Sequence, residues 1–201
     1  ALRARRSTLV ALVTLPMLPV VLLAFKAPTL RDVERDSDPY ALEMLSAILD
    51  GHDAARFTKN LVRSQRLAVS AGAGYDATAR GPGLFYLSAS PSAGHTVAEL
   101  ETALRAEVAR IAEAGVTPEE LERAKAQLVA GEIYKLDSMF AQAMEIGQLE
   151  AVGIAHGKGK RLIEKLQQVS AEQVQAVAAR YFGDDGLTVG VLDPQPLPDA
   201  P

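Results

Sequence analysis

The sequence predicts an α+β fold in which helices pack on one side of an antiparallel sheet. Apolar segments come in sequential pairs: 7–15 with 19–26, which are rich in β-branched residues, and 67–77 with 84–90, which are separated by the turn-rich residues 80–83. Strands that follow one another pair most simply as antiparallel neighbours. From Val97 onward, apolar residues instead recur at three- and four-residue steps, which is typical of amphipathic helices. Segregated strand pairs and helices indicate an α+β arrangement rather than alternating βαβ units.

Composition indicates one folded domain. The chain has 201 residues, of which 48% are hydrophobic and 23% charged, enough to bury a core. We assign residues 1–193 to a single domain and 194–201 to a proline-rich tail. Because the chain begins at Ala1 rather than methionine, we expect it to be a piece of a longer or processed polypeptide.

Charge and cysteine content exclude two classes of function. The net charge is −4, and the sequence has no basic segment with interleaved aromatic residues, so we expect no nucleic-acid partner. The chain has no cysteine, which excludes disulfides and thiolate chemistry but leaves the cellular compartment open.

The uncharged segment 7–25, preceded by three arginines, has the outline of a signal sequence or a membrane helix. Pro16 and Pro19 lie within it, and each would remove a helix hydrogen bond and clash with the preceding turn. No small-residue cleavage site follows. Its β-branched residues favour two buried strands, so we consider membrane association the weaker interpretation.

Local signals mark the ends of the elements that follow. Asp38 and Pro39 form an N-cap and first helical residue, and Gly51 ends that helix. Thr117 and Glu120 are spaced as a capping box for a long helix. We predict further helices at 54–65, 97–114, 118–138, 139–152, 161–169 and 171–182, and a last strand at 187–192.

No catalytic motif is present. His52, His95 and His156 are too far apart in sequence for two of them to share a helical face at zinc-ligand spacing. The glycines of 72–74 lack the third glycine of a dinucleotide loop, and 153–159 lacks the spacing and hydroxyl residue of a phosphate loop.

The order of short motifs resembles the pitrilysin-type, or insulinase-like, zinc metallopeptidases (inverzincins), which include the mitochondrial processing peptidase. Each motif is weak alone, but their order is fairly specific and covers almost the whole chain. The motifs are Leu18-Pro19-Val20 to Pro28, the segment Tyr40 to Gly51, Ala55-Arg56-Phe57, Leu67-Ala68-Val69-Ser70, Gly115 to Leu121 with Ala124-Lys125, Asp137-Ser138, and Ile146-Gly147 to Gly153.

The resemblance implies a half of the C-terminal type. In this family the N-terminal half carries His-x-x-Glu-His and binds zinc, and the present chain has no such motif. Active C-terminal halves supply an arginine and a tyrosine that bind substrate and stabilise developing charge. Matching the motifs places these two at Val62 and Val69, with Arg63 one residue out of register. We therefore expect no catalytic and no metal-binding residue in this chain.

The resemblance also predicts a role and a rival role. The first is a non-catalytic wall of a substrate chamber, which helps to bind extended peptides opposite a zinc-bearing half in the same polypeptide or in a partner subunit. The parent or partner would then be a zinc-dependent endopeptidase. The rival is a structural or assembly module that has lost proteolysis. The family favours a bacterial periplasm or cell envelope.

Overall fold

A computed structural model describes residues 7–13, 18–135 and 137–195. It contains a five-stranded sheet in the order β1-β5-β2-β4-β3, with most of the helices after the first four strands. The strands are β1 Ser7–Val13, β2 Val20–Ala27, β3 Ala68–Tyr75, β4 Gly83–Pro91 and β5 Leu187–Pro194. The α-helices are α1 Asp38–Asp50, α2 Val97–Ala114, α3 Pro118–Lys135, α4 Met139–Ala151, α5 Gly159–Gln167 and α6 Ala171–Tyr181. A π-helix occupies Phe57–Ser64, and short 3₁₀ turns occupy His156–Lys158 and Asp184–Gly186.

The α+β prediction is confirmed, but the sheet is mixed rather than wholly antiparallel. β2 pairs antiparallel with β4 and β5, and β3 pairs antiparallel with β4. β1 pairs parallel with β5, which lies between β1 and β2. Local periodicity identifies a strand but does not specify its neighbours in the sheet. The position of β5 between β1 and β2 was therefore not predicted, because β5 comes from the other end of the chain.

The two strands predicted within 7–25 are present, although only one is buried. Val21, Leu23 and Phe25 of β2 have at most 1% of their surface exposed. In β1 the side chains of residues 7–11 are all exposed, because β1 packs mainly against its neighbour strand β5 rather than against the helices. The predicted link at 16–18 lies mostly outside the described residues. No helix in the described part of the chain is long and apolar enough to span a membrane.

Burial alternates along the central strands, so one face of the sheet forms the core. In β4, Phe85 and Leu87 are fully buried while Leu84 and Tyr86 are about half exposed, at 53% and 47%. α1 packs against β3, α2 against β4 and β2, and α6 against β2. The placement of the helices on one side, as predicted, leaves the opposite face uncovered by the described residues.

Helix ends follow the sequence signals closely. The predicted capping box is present, since Glu120 N donates to Thr117 Oγ1 at 3.2 Å and Thr117 N to a Glu120 carboxylate oxygen at 3.0 Å. α1 begins at Asp38, one residue before the prediction, and Ser37 takes the N-cap position. The Asp38 carboxylate is instead held by Arg180 and Tyr181 of α6, both at 2.6 Å.

The last strand runs past its predicted end at residue 192. β5 continues through Asp193 and Pro194, which lie opposite residues 12 and 13 of β1. A strand partner therefore extends the ordered chain slightly past the predicted boundary. Residues 196–201 of the tail lie outside the described residues.

Candidate functional site

Val62, the position matched to an arginine, lies on irregular helical backbone. The segment predicted as an ordinary helix at 54–65 is a π-helix from Phe57 to Ser64. Phe57 and Leu61 are buried, and Val62 is partly buried against the core. The wider π-helical turn changes which side chains face the core, and such turns are frequent at functional sites. Val62 therefore faces the core only in part.

Val69, the position matched to a tyrosine, points away from the core. It lies at a register shift between Ala68 and Ser70, where β3 contains one residue more than β4. Its side chain is 55% exposed, whereas Ala68 is 3% exposed. β-Bulges bend a strand and re-aim side chains, and they are over-represented next to active sites. Val69 is therefore not a core residue.

The link between the π-helix and the bulge is also conformationally unusual. Arg66 has φ of +55°, a left-handed conformation that costs non-glycine residues roughly 1–2 kcal/mol. The connection is held by hydrogen bonds from Leu67 N to Leu61 O at 3.0 Å and from Ser92 N to Leu67 O at 2.9 Å. The backbone from 57 to 70 thus combines a π-helix, a left-handed residue and a bulge.

The two positions that the resemblance matches to an arginine and a tyrosine carry aliphatic side chains. Neither Val62 nor Val69 can donate a hydrogen bond or stabilise negative charge. Arg63 is exposed at the neighbouring position, on the same π-helix. The two valines remain the predicted substitutes for the arginine and tyrosine, and the geometry shows only where each of them points.

The uncovered face of the sheet is apolar near its centre. Leu22 of β2 is 42% exposed, and Leu84 and Tyr86 of β4 are also partly exposed on the same face. The Tyr86 ring lies across Gly74 of β3, where a Cβ atom would come within 2.1 Å of the ring. Glycine at 74 therefore lets the tyrosine lie flat on its neighbour strand. None of the predictions above includes this surface, although the alternation of buried and exposed residues in β4 signals it.

One edge of the sheet is partly closed by α1. Asp50, at the end of α1, accepts a hydrogen bond from the backbone N–H of Ala73 in edge strand β3 at 3.2 Å. Burial raises the pKa of this carboxyl, and the Ala73 N–H opposes that change. An added peptide strand would have to displace Asp50 to use this donor.

His52 and His95 make local contacts in the structure. His52 Nδ1 accepts from Ala54 N at 3.0 Å, while nearby Asp50 is directed to Ala73. His95 Nδ1 lies 3.5 Å from the Glu99 carboxylate within one helical turn. Among the residues that the structure describes, no group of three His, Cys, Asp or Glu side chains is placed to hold a metal ion. The placement of zinc in another half stays a prediction.

A family model supports the resemblance. The model described as the peptidase M16 inactive domain matches residues 12–128, which is more than half of the chain. No curated protein sequence matches the chain significantly.

Solved structures share the fold at low sequence identity. A protease from Helicobacter pylori superposes with a TM-score of 0.86 at 21% identity over 96% of this chain, which spans only 45% of the protease chain. An inactive peptidase domain assigned to a zinc protease of Bordetella parapertussis gives 0.79 at 19% identity, covering 94% of this chain and 97% of that one. A chain of Candida albicans complex III2 gives 0.73 at 14% identity, covering 93% of this chain and 45% of that one.

Proposed function

Because the chain belongs to the peptidase M16 inactive-domain family, we propose that it is the non-catalytic half of a zinc-dependent endopeptidase. It closes the substrate chamber opposite a zinc-bearing half and helps to hold extended peptides there. The partner half is supplied by the same polypeptide or by another subunit. The chain spans less than half of the Helicobacter pylori protease, which leaves room for such a second half in the comparison.

The uncovered apolar face of the sheet carries this proposal. Leu22, Leu84 and Tyr86 expose 42–53% of their surface on the side opposite the helices. Lys26 and Ser88 lie opposite Leu84 and Leu22 on this face, so the surface combines apolar and polar groups. Exposed apolar side chains grouped on one face and bordered by polar residues favour a binding or docking surface. A second half facing this surface would enclose a chamber with one apolar wall, and the Tyr86 hydroxyl offers a polar contact for peptide groups.

The two valines support a non-catalytic role. Removing one preorganised donor typically lowers a hydrolytic rate about a hundred- to thousand-fold. Valine at both 62 and 69 leaves neither donor of the family pattern. The chain then contributes enclosure and peptide contacts, and the hydrolytic chemistry is carried out by residues of the other half.

The open sheet face suits a peptide better than the β3 edge does. Strand addition needs free backbone donors and acceptors along an edge. At Ala73 the donor is already bound to Asp50. A peptide lying across the face can instead use Tyr86 and the exposed side chain of Val69.

The rival function is a structural or assembly module that has lost proteolysis. This second proposal is motivated by the fold similarity to a chain of Candida albicans complex III2. At 14% identity that similarity shows a shared fold and no shared role. The two functions differ in the nature of the partner: only the peptidase function requires a partner bearing His-x-x-Glu-His. For either function, the family resemblance favours a bacterial periplasm or cell envelope.

Site-specific photocrosslinking in the native cell tests the proposal. A crosslinker replaces Tyr86 on the open sheet face, and a matched one replaces Ile133, which is similarly exposed (57%) but lies on α3. We expect position 86, and not 133, to crosslink to a polypeptide segment that contains His-x-x-Glu-His, identified by mass spectrometry. A crosslink to a segment without that motif would favour the assembly module.

An activity assay provides the second test. The purified chain incubated with an unfolded peptide and zinc should show no cleavage. Combined with the crosslinked partner half, it should support cleavage that a chelator abolishes. Chelator-sensitive cleavage by this chain alone would contradict the non-catalytic assignment.

A further inference from the structure

A cavity of about 270 Å³ lies among the helices, away from the open sheet face. It is bounded by α1, α3, α4 and α5 and by the residues that follow β3. At about 30 Å³ per water molecule, this volume holds roughly nine waters. The cavity is therefore large enough for a small organic ligand.

The lining combines an apolar wall with an excess of carboxyl groups. Leucines 30, 128, 149, 162 and 166 together with Ile163 supply the apolar wall. The charged lining consists of Glu43 on α1, Asp76 after β3, Glu132 and Lys135 on α3, and Glu145 on α4. α5 adds only Gly159 and apolar side chains.

The single cation of the lining is already engaged. Lys135 Nζ lies 2.6 Å from a Glu132 carboxylate oxygen, one helical turn away, and so pairs with Glu132. Asp76 is held locally by the N–H and the hydroxyl of Thr78, both at 2.8 Å. Among the described lining residues, no cation is paired with Glu43.

Glu43 is the carboxyl group that most needs a cation. Burial, followed by the charges of Asp76 and Glu132, raises its pKa to about 7, against smaller opposing effects of Lys135 and the Ala77 N–H. A carboxyl group that is neutral for lack of a counter-charge will ionise when a cation is placed beside it. The other titratable groups of the lining are Tyr40 and Tyr75, whose hydroxyls donate to the carbonyls of Val33 and Pro28.

We propose that this cavity binds a primary alkylammonium group, with the ammonium beside Glu43 and the methylene chain against the leucines of α3, α4 and α5. The compact ammonium brings three donors to a site rich in carboxylate oxygens. The apolar wall accommodates an alkyl stem, as it does for lysine side chains that bury their methylenes. The ligand is either a free alkylamine or the lysine side chain of a peptide. The site is independent of the chamber proposed above.

Titration of the chain with pentylamine tests the site, with pentanol as the neutral control of equal chain length. At pH 8 we expect one saturable site with a dissociation constant of about 1 mM or tighter for pentylamine. Ile163, labelled at its methyl group, should report the binding by NMR, because it lines the cavity. Pentanol should bind at least tenfold more weakly.

The variant Glu43→Gln removes the charge while conserving size and should weaken pentylamine binding at least tenfold. Glu122→Gln is the matched control, since Glu122 is on α3 but is 72% exposed and pairs with Lys125. Near pH 7, calorimetry in two buffers of different ionisation enthalpy should show proton release on binding to the native chain and none in Glu43→Gln.

Two probes distinguish the sources of the ligand. Nα-acetyl-lysine amide keeps a free side-chain ammonium. If it binds as tightly as pentylamine, the ligand is a peptide side chain, and if only pentylamine binds, the ligand is a free amine. Both outcomes support the ammonium site. Equal binding of pentanol, unchanged binding to Glu43→Gln, or no saturable binding of either amine would overturn it.

Discussion

Replacing Glu43 by glutamine should make the protein more stable at alkaline pH and leave it unchanged at acid pH. Glu43 is partly buried in the helical layer, and this burial, followed by the charges of Asp76 and Glu132, raises its pKa from an ordinary 4.5 to about 7. In the unfolded chain the carboxyl group ionises near its ordinary value. Folding therefore opposes ionisation of this group between these two pH values.

The sign and size follow from proton linkage. Between pH 4.5 and 7 the folded state binds more protons at Glu43 than the unfolded state does, so the free energy of unfolding falls as pH rises. A shift from 4.5 to about 7 corresponds to a loss of about 3 kcal/mol, complete above pH 7. Glutamine has no charge to lose and can still accept the Ala77 N–H hydrogen bond. Its advantage should thus reach about 3 kcal/mol at pH 8 and vanish below pH 4.5.

Urea denaturation followed by circular dichroism at pH 4, 5.5, 7 and 8.5 measures this difference. In separate thermal scans near pH 8, the melting temperature of the variant should exceed that of the native chain by roughly 6–12 °C. Changes in other titrating groups cancel because both proteins contain them. Glu122→Gln should track the native chain at every pH. Parallel stability curves for Glu43→Gln and the native chain would refute the buried-carboxyl reasoning.

Two further predictions concern stability. Arg56 forms a bidentate pair with Glu120, with Nε and Nη2 each 2.8 Å from a carboxylate oxygen. A double-mutant cycle of Arg56→Met and Glu120→Gln, measured by urea denaturation at pH 7, should give a coupling free energy of about 1–2 kcal/mol. Arg56 lowers the pKa of Glu120 in the folded protein. The coupling should therefore be fully present above the pKa that Glu120 has in the unfolded chain, and it should be lost as the pH falls through the pKa of Glu120 in the folded chain. A coupling free energy that acid leaves unchanged would contradict this prediction. Gly131→Ala should stabilise the protein by about 0.5–1 kcal/mol, because Gly131 lies in the interior of α3 with open space around an added Cβ. Gly115→Ala should destabilise it by about 1–2 kcal/mol, because φ at Gly115 is +74°. Thermal melts that rank the two variants in the opposite order would contradict the helical conformation of Gly131 or the left-handed conformation of Gly115.

The amino-acid sequence alone determined the features that depend on neighbours along the chain. Three- and four-residue periodicity from Val97 predicted α2, and the capping box of Thr117 and Glu120 predicted where α3 begins. These are local effects, because a side chain two to four residues away supplies the partner. The absence of a side-chain hydrogen-bond donor at Val62 and Val69 was likewise evident from the sequence, because it depends only on the residue type.

Only the tertiary structure decided features built from distant segments. β5 reaches its place between β1 and β2 from the end of the chain, and no local pattern specifies that neighbour. The π-helix and the bulge that orient Val62 and Val69 depend on packing of 57–70 against the core and against β4. The cavity around Glu43 requires α1, α3, α4 and α5 to meet. Its carboxyl group behaves unusually because folding removes it from water, which sequence periodicity does not describe.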